Sequence, residues 1–324
     1  VFDCFENKRI LITGGNGYLA ANLVYLLKDA TCKIVRFGRK GTKWISFNEK
    51  RKSEVHNVEG DLADPNSWQF LLEEADIVFH LASQTSVYVA NSNPLGDLTV
   101  NVLPMLNMLE ACRDRSICPI ILFSGAVTEA GVPDRIPVDE NHPDRPITIY
   151  DLHKLMSESY LKHYVREGIV KGAILRLANV YGPGPKSSSA DRGILNQMIR
   201  KALKGETITI HGTGNFVRDY IYVEDVTRAF VHAATHIDRI NGKHFVIGSG
   251  TGSTIAEAFR LVANRVERKT GVKIPVTHID PPSNLSPIEY RNFVADTSLF
   301  RSLTDWKTEV DLVRGIDLTI ESYL

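Results

Sequence analysis

Along the first 180 residues, short apolar runs alternate with longer stretches in which apolar residues return every three or four positions. Arg9-Ile-Leu-Ile-Thr13 stops at glycines and predicts a buried strand. From Tyr18 to Lys28, Leu19, Leu23, Leu26 and Leu27 fall on one helical face. Further strands are predicted at Cys32–Phe37, Val55–Glu59, Asp76–Leu81, Ile120–Phe123 and Gly172–Leu177. Between them, helices are predicted at Pro65–Glu74, Leu98–Arg113 and Tyr150–Arg166. Buried strands separated by helices mean a doubly wound α/β fold with a parallel sheet covered on both faces. After Tyr181-Gly-Pro-Gly-Pro185 the pattern is less regular. A helix at Gly193–Lys204 precedes a strand pair around Ile208–Ile210 and Tyr220–Tyr222. Helices follow near Val226–Thr235 and Ile255–Thr270, with a short strand at Pro275–Ile279. We read 1–180 as one domain, with about 215–250 returning to it, and 181–324 as mainly a smaller α/β substrate lobe. The cleft would lie between that lobe and the carboxyl ends of the parallel strands.

Composition narrows the partners. Lys+Arg and Asp+Glu each number 38. A balanced chain gives no reason to expect nucleic acid as a partner. No apolar run approaches the roughly 20 residues of a membrane span. The first residues lack the order of a signal peptide, so a cytoplasmic protein is expected. Cys4, Cys32, Cys112 and Cys118 show neither metal nor disulfide spacing, and no metal site is predicted.

The turn Thr13-Gly-Gly-Asn-Gly-Tyr-Leu-Ala20 stands between a strand and a helix. Small residues there let a pyrophosphate approach the backbone, and the helix N-terminus suits its charge. Gly14, Asn16, Gly17, Tyr18 and Leu19 are the expected dinucleotide contacts, which makes the parallel domain Rossmann-type. Strand two should end in an acid if it holds a ribose 2′-hydroxyl. Gly38 takes that place, and Arg39 and Lys40 follow. A guanidinium suits a 2′-phosphate, so NADP is preferred, with NAD the alternative. Asp61 and Leu62 after strand three are expected near the adenine, although Asp61 could instead cap the next helix. Leu81, Ala82 and Ser83 after strand four fall beside the cofactor, and Gln84 falls toward the substrate.

In Ile149-Tyr-Asp-Leu-His-Lys154, Tyr150 and Lys154 share one helix face. An ammonium beside a phenol favours phenolate. Such a tyrosine can take the proton of a sugar hydroxyl while hydride leaves the same carbon.

Together these residues resemble the extended short-chain dehydrogenase/reductases, specifically the nucleotide-sugar epimerase/dehydratase group. The likeness also covers Gly60-Asp61-Leu62, Asn101-Val102, Leu175-Arg-Leu-Ala-Asn179 and Arg218-Asp-Tyr-Ile-Tyr-Val-Glu-Asp225. It implies Tyr150 as acid and base, and Lys154 as partner of the nicotinamide ribose. Asn179 and Arg218 would touch a nucleotide-diphosphate sugar. A homodimer through the helices Leu98–Arg113 and Tyr150–Arg166 is also implied.

The chain departs from the family pattern twice. The usual hydroxyl position after strand five falls on Ala126, flanked by Ser124 and Thr128. Thr128 is preferred, Ser124 is the alternative, and Glu129 is a candidate general acid. An arginine expected before Ala295-Asp296 is replaced by Ser286, leaving Arg291, Lys186 or Arg192 to supply the charge. The expected activity is a nucleotide-sugar 4-epimerase working through a 4-keto intermediate. A 4,6-dehydratase, an NADPH-dependent 4-ketoreductase and a non-catalytic dinucleotide-binding protein are the alternatives.

Overall fold

The computed structural model describes residues 2–47, 49–73, 75–185 and 193–324. The expected contact Arg192, like Lys186, lies outside the described residues. The first half alternates β1 (Arg9–Thr13), α1 (Tyr18–Leu26), β2 (Lys33–Gly38), β3 (Glu54–Glu59), α2 (Pro65–Leu71) and β4 (Ile77–His80). Next come α3 (Val87–Ser92), α4 (Pro94–Asn101), α5 (Leu103–Arg115), β5 (Ile120–Ala126), α6 (Ile149–Arg166) and β6 (Lys171–Leu177). These six strands and a later one, β10 (His244–Ile247), form a seven-stranded sheet ordered β10-β6-β5-β4-β1-β2-β3. Every pairing in it is parallel.

Successive residues of each strand point to opposite faces and enter different cores. Ile10, Ile12, Ile34, Phe79 and Leu122 pack on one face. Leu11, Val35, Val78, Ile121 and Phe123 pack on the other, with Trp68 of α2 and Met105 and Leu109 of α5. Both faces are thus buried, which is why these strands read as unbroken apolar runs.

The chain leaves the sheet through Ala178 alone and enters β7 (Asn179–Tyr181). After it come α7 (Ile194–Leu203), β8 (Ile208–His211), β9 (Val217–Tyr222), α8 (Val223–Thr235) and α9 (Ile237–Ile240). Beyond β10 lie β11 (Gly252–Thr254), α10 (Ile255–Thr270), β12 (Val276–Ile279), α11 (Ser298–Thr304) and α12 (Leu312–Tyr323). The lobe has its own core of Leu195, Ile199, Ile208, Ile210, Phe259, Val262, Ile316 and Ile320.

Three expectations change. The single helix Leu98–Arg113 is two, α4 and α5, because Pro104 sits in the first turn of α5 and cannot continue α4. β8 and β9 do not pair with each other: β8 pairs with β12, and β9 lies between β7 and β11. Of the stretch 215–250, α8, α9 and β10 pack with the large domain, while β9 pairs within the lobe's sheet.

Candidate functional site

One cavity of about 2860 Å³ runs across the carboxyl ends of the parallel strands into the lobe. Its wall includes Gly14, Asn16, Gly17, Tyr18 and Leu19 from the first turn, and Arg39, Asp61, Leu62, Leu81, Ala82 and Ser83 from the next strand ends. Gln84, Ser124, Thr128, Tyr150, Lys154, Asn179 and Arg218 complete it among the expected residues. Glu129 is the described exception.

The glycine turn is shaped for close approach. Gly14 has φ +65, and a Cβ there would stand 2.9 Å from Ala82 Cα. A Cβ on Gly17 would stand 2.9 Å from the Gly14 carbonyl oxygen. The Thr13 hydroxyl draws β4 to this turn by accepting the Leu81 and Ala82 N–H groups, each at 3.1 Å. It meets His80 Nδ1 at 3.1 Å. Burial and the nearby Lys154 push His80 down to about 3, so the ring is neutral and can accept that hydroxyl. Backbone N–H groups at the start of α1 and this cradle without side chains fit a dinucleotide pyrophosphate.

Asn16 does more than line the turn. Its amide donates to the Lys43 carbonyl at 2.9 Å and accepts the Ile45 N–H at 2.8 Å, clipping the loop after β2 to the glycine turn. Gly38 has no space for a side chain, since a Cβ would lie 2.8 Å from the Trp44 ring. The acid missing from β2 has a neighbour on β3: Glu59 pairs in register with Gly38. Glu59 accepts the Trp44 indole N–H at 3.1 Å and the Gly41 N–H at 2.9 Å. Its carboxylate thus ties down the loop that carries Arg39 and Lys40 through Gly41 and Trp44. Asp61 does not cap α2; it accepts the Ala63 N–H at 2.9 Å, and Asp64 caps the helix.

Tyr150 and Lys154 occupy the first turns of α6, both buried. Thr148 caps the helix by accepting the Asp151 N–H at 3.2 Å. The Lys154 ammonium lies 4.2 Å from the Phe123 ring centroid. Tyr150 and Lys154 thus lie on the N-terminal turns of one helix, four residues apart and facing the same cavity.

Two expected roles are corrected. Glu129 is wholly buried away from the cavity against Arg176, where it cannot reach a substrate as a general acid. Gln84 lines the cavity, but both its amide hydrogens are committed, to the Ser86 carbonyl at 2.8 Å and to Asp97 at 2.7 Å. It braces the loop after β4 and does not offer those donors to a sugar. His153 closes the same brace through Asp97 at 2.7 Å.

At the lobe end, Arg218 donates to the Glu289 carbonyl at 2.8 Å and to the Arg291 carbonyl, and pairs with the Glu289 carboxylate at 3.4 Å. Much of its guanidinium is therefore structural, as an arginine beside an aromatic strand often is. The displaced Arg291 does reach the cavity wall, whereas Ser286 does not. Sequence reasoning missed Tyr220, a buried phenol on the cavity wall. Burial pushes it up to about 12, against the opposing pull of Arg218 and Arg291. Its position two residues from Arg218 on one strand face was the available signal. No group of three or more His, Cys, Asp or Glu among the described residues could hold a metal ion. No described helix is long and apolar enough to cross a membrane.

Comparison with known proteins fits this geometry. A relative in Methanocaldococcus jannaschii, provisionally assigned as a UDP-glucose 4-epimerase, is 31% identical over 95% of both chains. The UDP-glucose 4-epimerase of Mycolicibacterium smegmatis is 28% identical, over 97% of this chain and 98% of its own. The solved Thermotoga maritima UDP-glucose 4-epimerase, bound to UDP-glucose, superposes with a TM-score of 0.84 at 29% identity, covering 97% and 98% of the two chains. A Thermus thermophilus UDP-glucose 4-epimerase solved with NAD gives a TM-score of 0.82 at 27% identity, with coverage of 97% and 98%. These likenesses lend the NADP preference no support. The description "NAD dependent epimerase/dehydratase family" matches residues 10–248. With the glycine cradle, the Tyr150–Lys154 pair and the lobe around one cavity, the chain belongs to that family of enzymes.

Proposed function

We propose that this enzyme is a nucleotide-sugar 4-epimerase that takes a UDP-hexose and uses NAD. The observation carrying this reading is that Tyr150, Lys154, the glycine turn and the Arg218–Tyr220 face line one cavity. NAD bound at the turn would supply reversible hydride exchange with C4 of the sugar. Tyr150 removes the proton of the 4-hydroxyl as C4 becomes a ketone, and returns it after the keto sugar has presented its other face. Lys154 stabilises the phenolate and orients the nicotinamide ribose. Thr128, with Ser124 as the alternative, hydrogen-bonds the same sugar oxygen. Asn179, Arg218 and Tyr220 hold the nucleotide end, where Arg291 adds charge. The enclosure of Glu129 removes the carboxylic acid that a 4,6-dehydratase reading required.

NAD is preferred to NADP because the family is described as NAD dependent and a relative of 27% identity was solved with NAD. The Glu59 carboxylate, in register with Gly38 on the next strand, adds negative charge at this sheet edge. A homodimer through α4 and α6 is supported by the exposure of Leu95, 79%, with Val100 and Leu152 also exposed.

The test is interconversion of UDP-glucose and UDP-galactose without added cofactor. Tyr150→Phe should lower turnover by about 10²- to 10⁴-fold while dinucleotide released on denaturation stays near one per chain. Parental turnover retained in Tyr150→Phe would refute the assignment of Tyr150. NADP as the released dinucleotide would refute the cofactor assignment.

A further inference from the structure

We propose that Glu129 is a positioning residue, setting from its buried place between β6 and α6 the turn that presents the Thr128 hydroxyl to the cavity. Its Oε1 accepts the Ala126 N–H at 2.7 Å, and its Oε2 lies 3.2 Å from Arg176 Nε. Its own carbonyl accepts the Arg145 N–H at 3.0 Å. Side chain and backbone are thus both anchored in protein.

Ala126 immediately precedes the short helical turn Val127–Ala130. A hydroxyl side chain at such a position ordinarily satisfies the first free N–H groups. Ala126 has none, and the carboxylate three residues on reaches back to the Ala126 N–H, one half of a capping box. Glu129 is therefore the side chain that holds this turn. Gly125 makes the arrangement possible, since a Cβ there would come within 2.9 Å of Ile174 Cγ2 and 3.1 Å of Glu129 Oε1. Arg176 fixes Glu129 and is itself clamped by Glu158 at 2.9 and 2.7 Å and by Asp144 at 2.5 and 3.0 Å. Burial, opposed by Arg176 and reinforced by Glu158, holds the Glu129 carboxyl well above the usual carboxylate range. A glutamine would then reproduce both its shape and its bond to Ala126.

The test compares Glu129→Gln and Glu129→Ala, alone and combined with Thr128→Ala, by steady-state kinetics on UDP-glucose. This arm rests on the epimerase reading. Hydrogen exchange of backbone amides across 125–131 forms a second arm that needs no turnover. Glu129→Gln should keep kcat within about threefold of the parent, and Glu129→Ala should lose about tenfold in kcat with KM little moved. Thr128→Ala should cost nothing further in the Glu129→Ala background. Exchange should quicken in Glu129→Ala and not in Glu129→Gln. Glu129→Gln as slow as Glu129→Ala would mean a proton donor and overturn the proposal, as would additive losses or unchanged exchange in Glu129→Ala. Should Glu129→Ala fail to fold, Glu129→Gln decides: near-parental kcat supports the proposal and a large loss overturns it. A parent inactive on every UDP-hexose would refute the epimerase reading, and exchange would still decide the role of Glu129.

Discussion

Arg176 is the residue on which most buried charge converges. It is 3% exposed and faces Glu129, Glu158 and Asp144. Burial raises Glu158, but hydrogen bonds and charge from Arg176 prevail and bring it down to about 2. Removing the guanidinium strands these acids in a low dielectric. Arg176→Met should cost about 3–5 kcal/mol of stability, read from the urea midpoint. The sequence showed this arginine only as part of Leu175-Arg-Leu-Ala-Asn179. Its partners lie as many as 47 residues away, a separation no local pattern encodes. Tyr150 and Lys154 were legible because both lie on one helix, where spacing dictates geometry. Glu129 was less legible for the converse reason: chain neighbourhood to Thr128 does not say that the next side chain turns inward to Arg176 rather than into the cavity.

Elements were legible wherever apolar period alone decides them. All six strands predicted in the first 180 residues form, as do the helices around them, Leu98–Arg113 in two pieces. Turns and breaks were less legible. The stop before Pro104 was available in the sequence and outweighs the apolar spacing on either side of it. The pairing of β8 with β12 was not available, because a two-layer lobe can pair short strands in several orders. The glycine turn is the element with the sharpest consequence. At Gly14, a methyl group would combine a left-handed φ of +65 with a 2.9 Å approach to Ala82. Gly14→Ala should therefore lower dinucleotide affinity at least about tenfold, roughly 1.4 kcal/mol. Dinucleotide content after purification checks this, with circular dichroism confirming the fold.

For the whole molecule, one buried and one half-buried histidine, His80 and His244, shape the acid limb of stability. Burial is the leading cause of lowering for both: His80 to about 3, with help from Lys154, and His244 to about 4, with help from Arg176. Below the ordinary histidine value of 6.5 the unfolded chain binds protons that the folded chain refuses. These two groups therefore contribute a fall in stability as pH drops from about 6.5 toward 4, by up to about 1.4 kcal/mol per pH unit each, which proton uptake by the raised Glu129 carboxyl offsets in part. Below about 4.5 Glu158 adds a second loss, because its folded value lies under its unfolded one. Melting between pH 7 and 4 should show this slope, and the His80→Gln/His244→Gln pair should flatten it above pH 4.5. At the same scale, the proposed homodimer predicts that Leu95→Glu lowers the sedimentation coefficient to that of a monomer; a parent that already sediments as a monomer would refute the dimer.

The passage between the two sheets has a mechanical meaning. Only Ala178 separates β6 from β7, and no residue separates β9 from α8. The return from β10 to β11 is tied by Asp219, which accepts the N–H groups of Ser249 at 2.7 Å, Gly250 at 3.0 Å and Ala295 at 3.0 Å. Neither half has slack in which to melt while the other stays folded. Chemical denaturation should then proceed as one cooperative transition reported alike by Trp68 in the large domain and by far-ultraviolet ellipticity, and opening of the cleft falls to its loops rather than to a hinge.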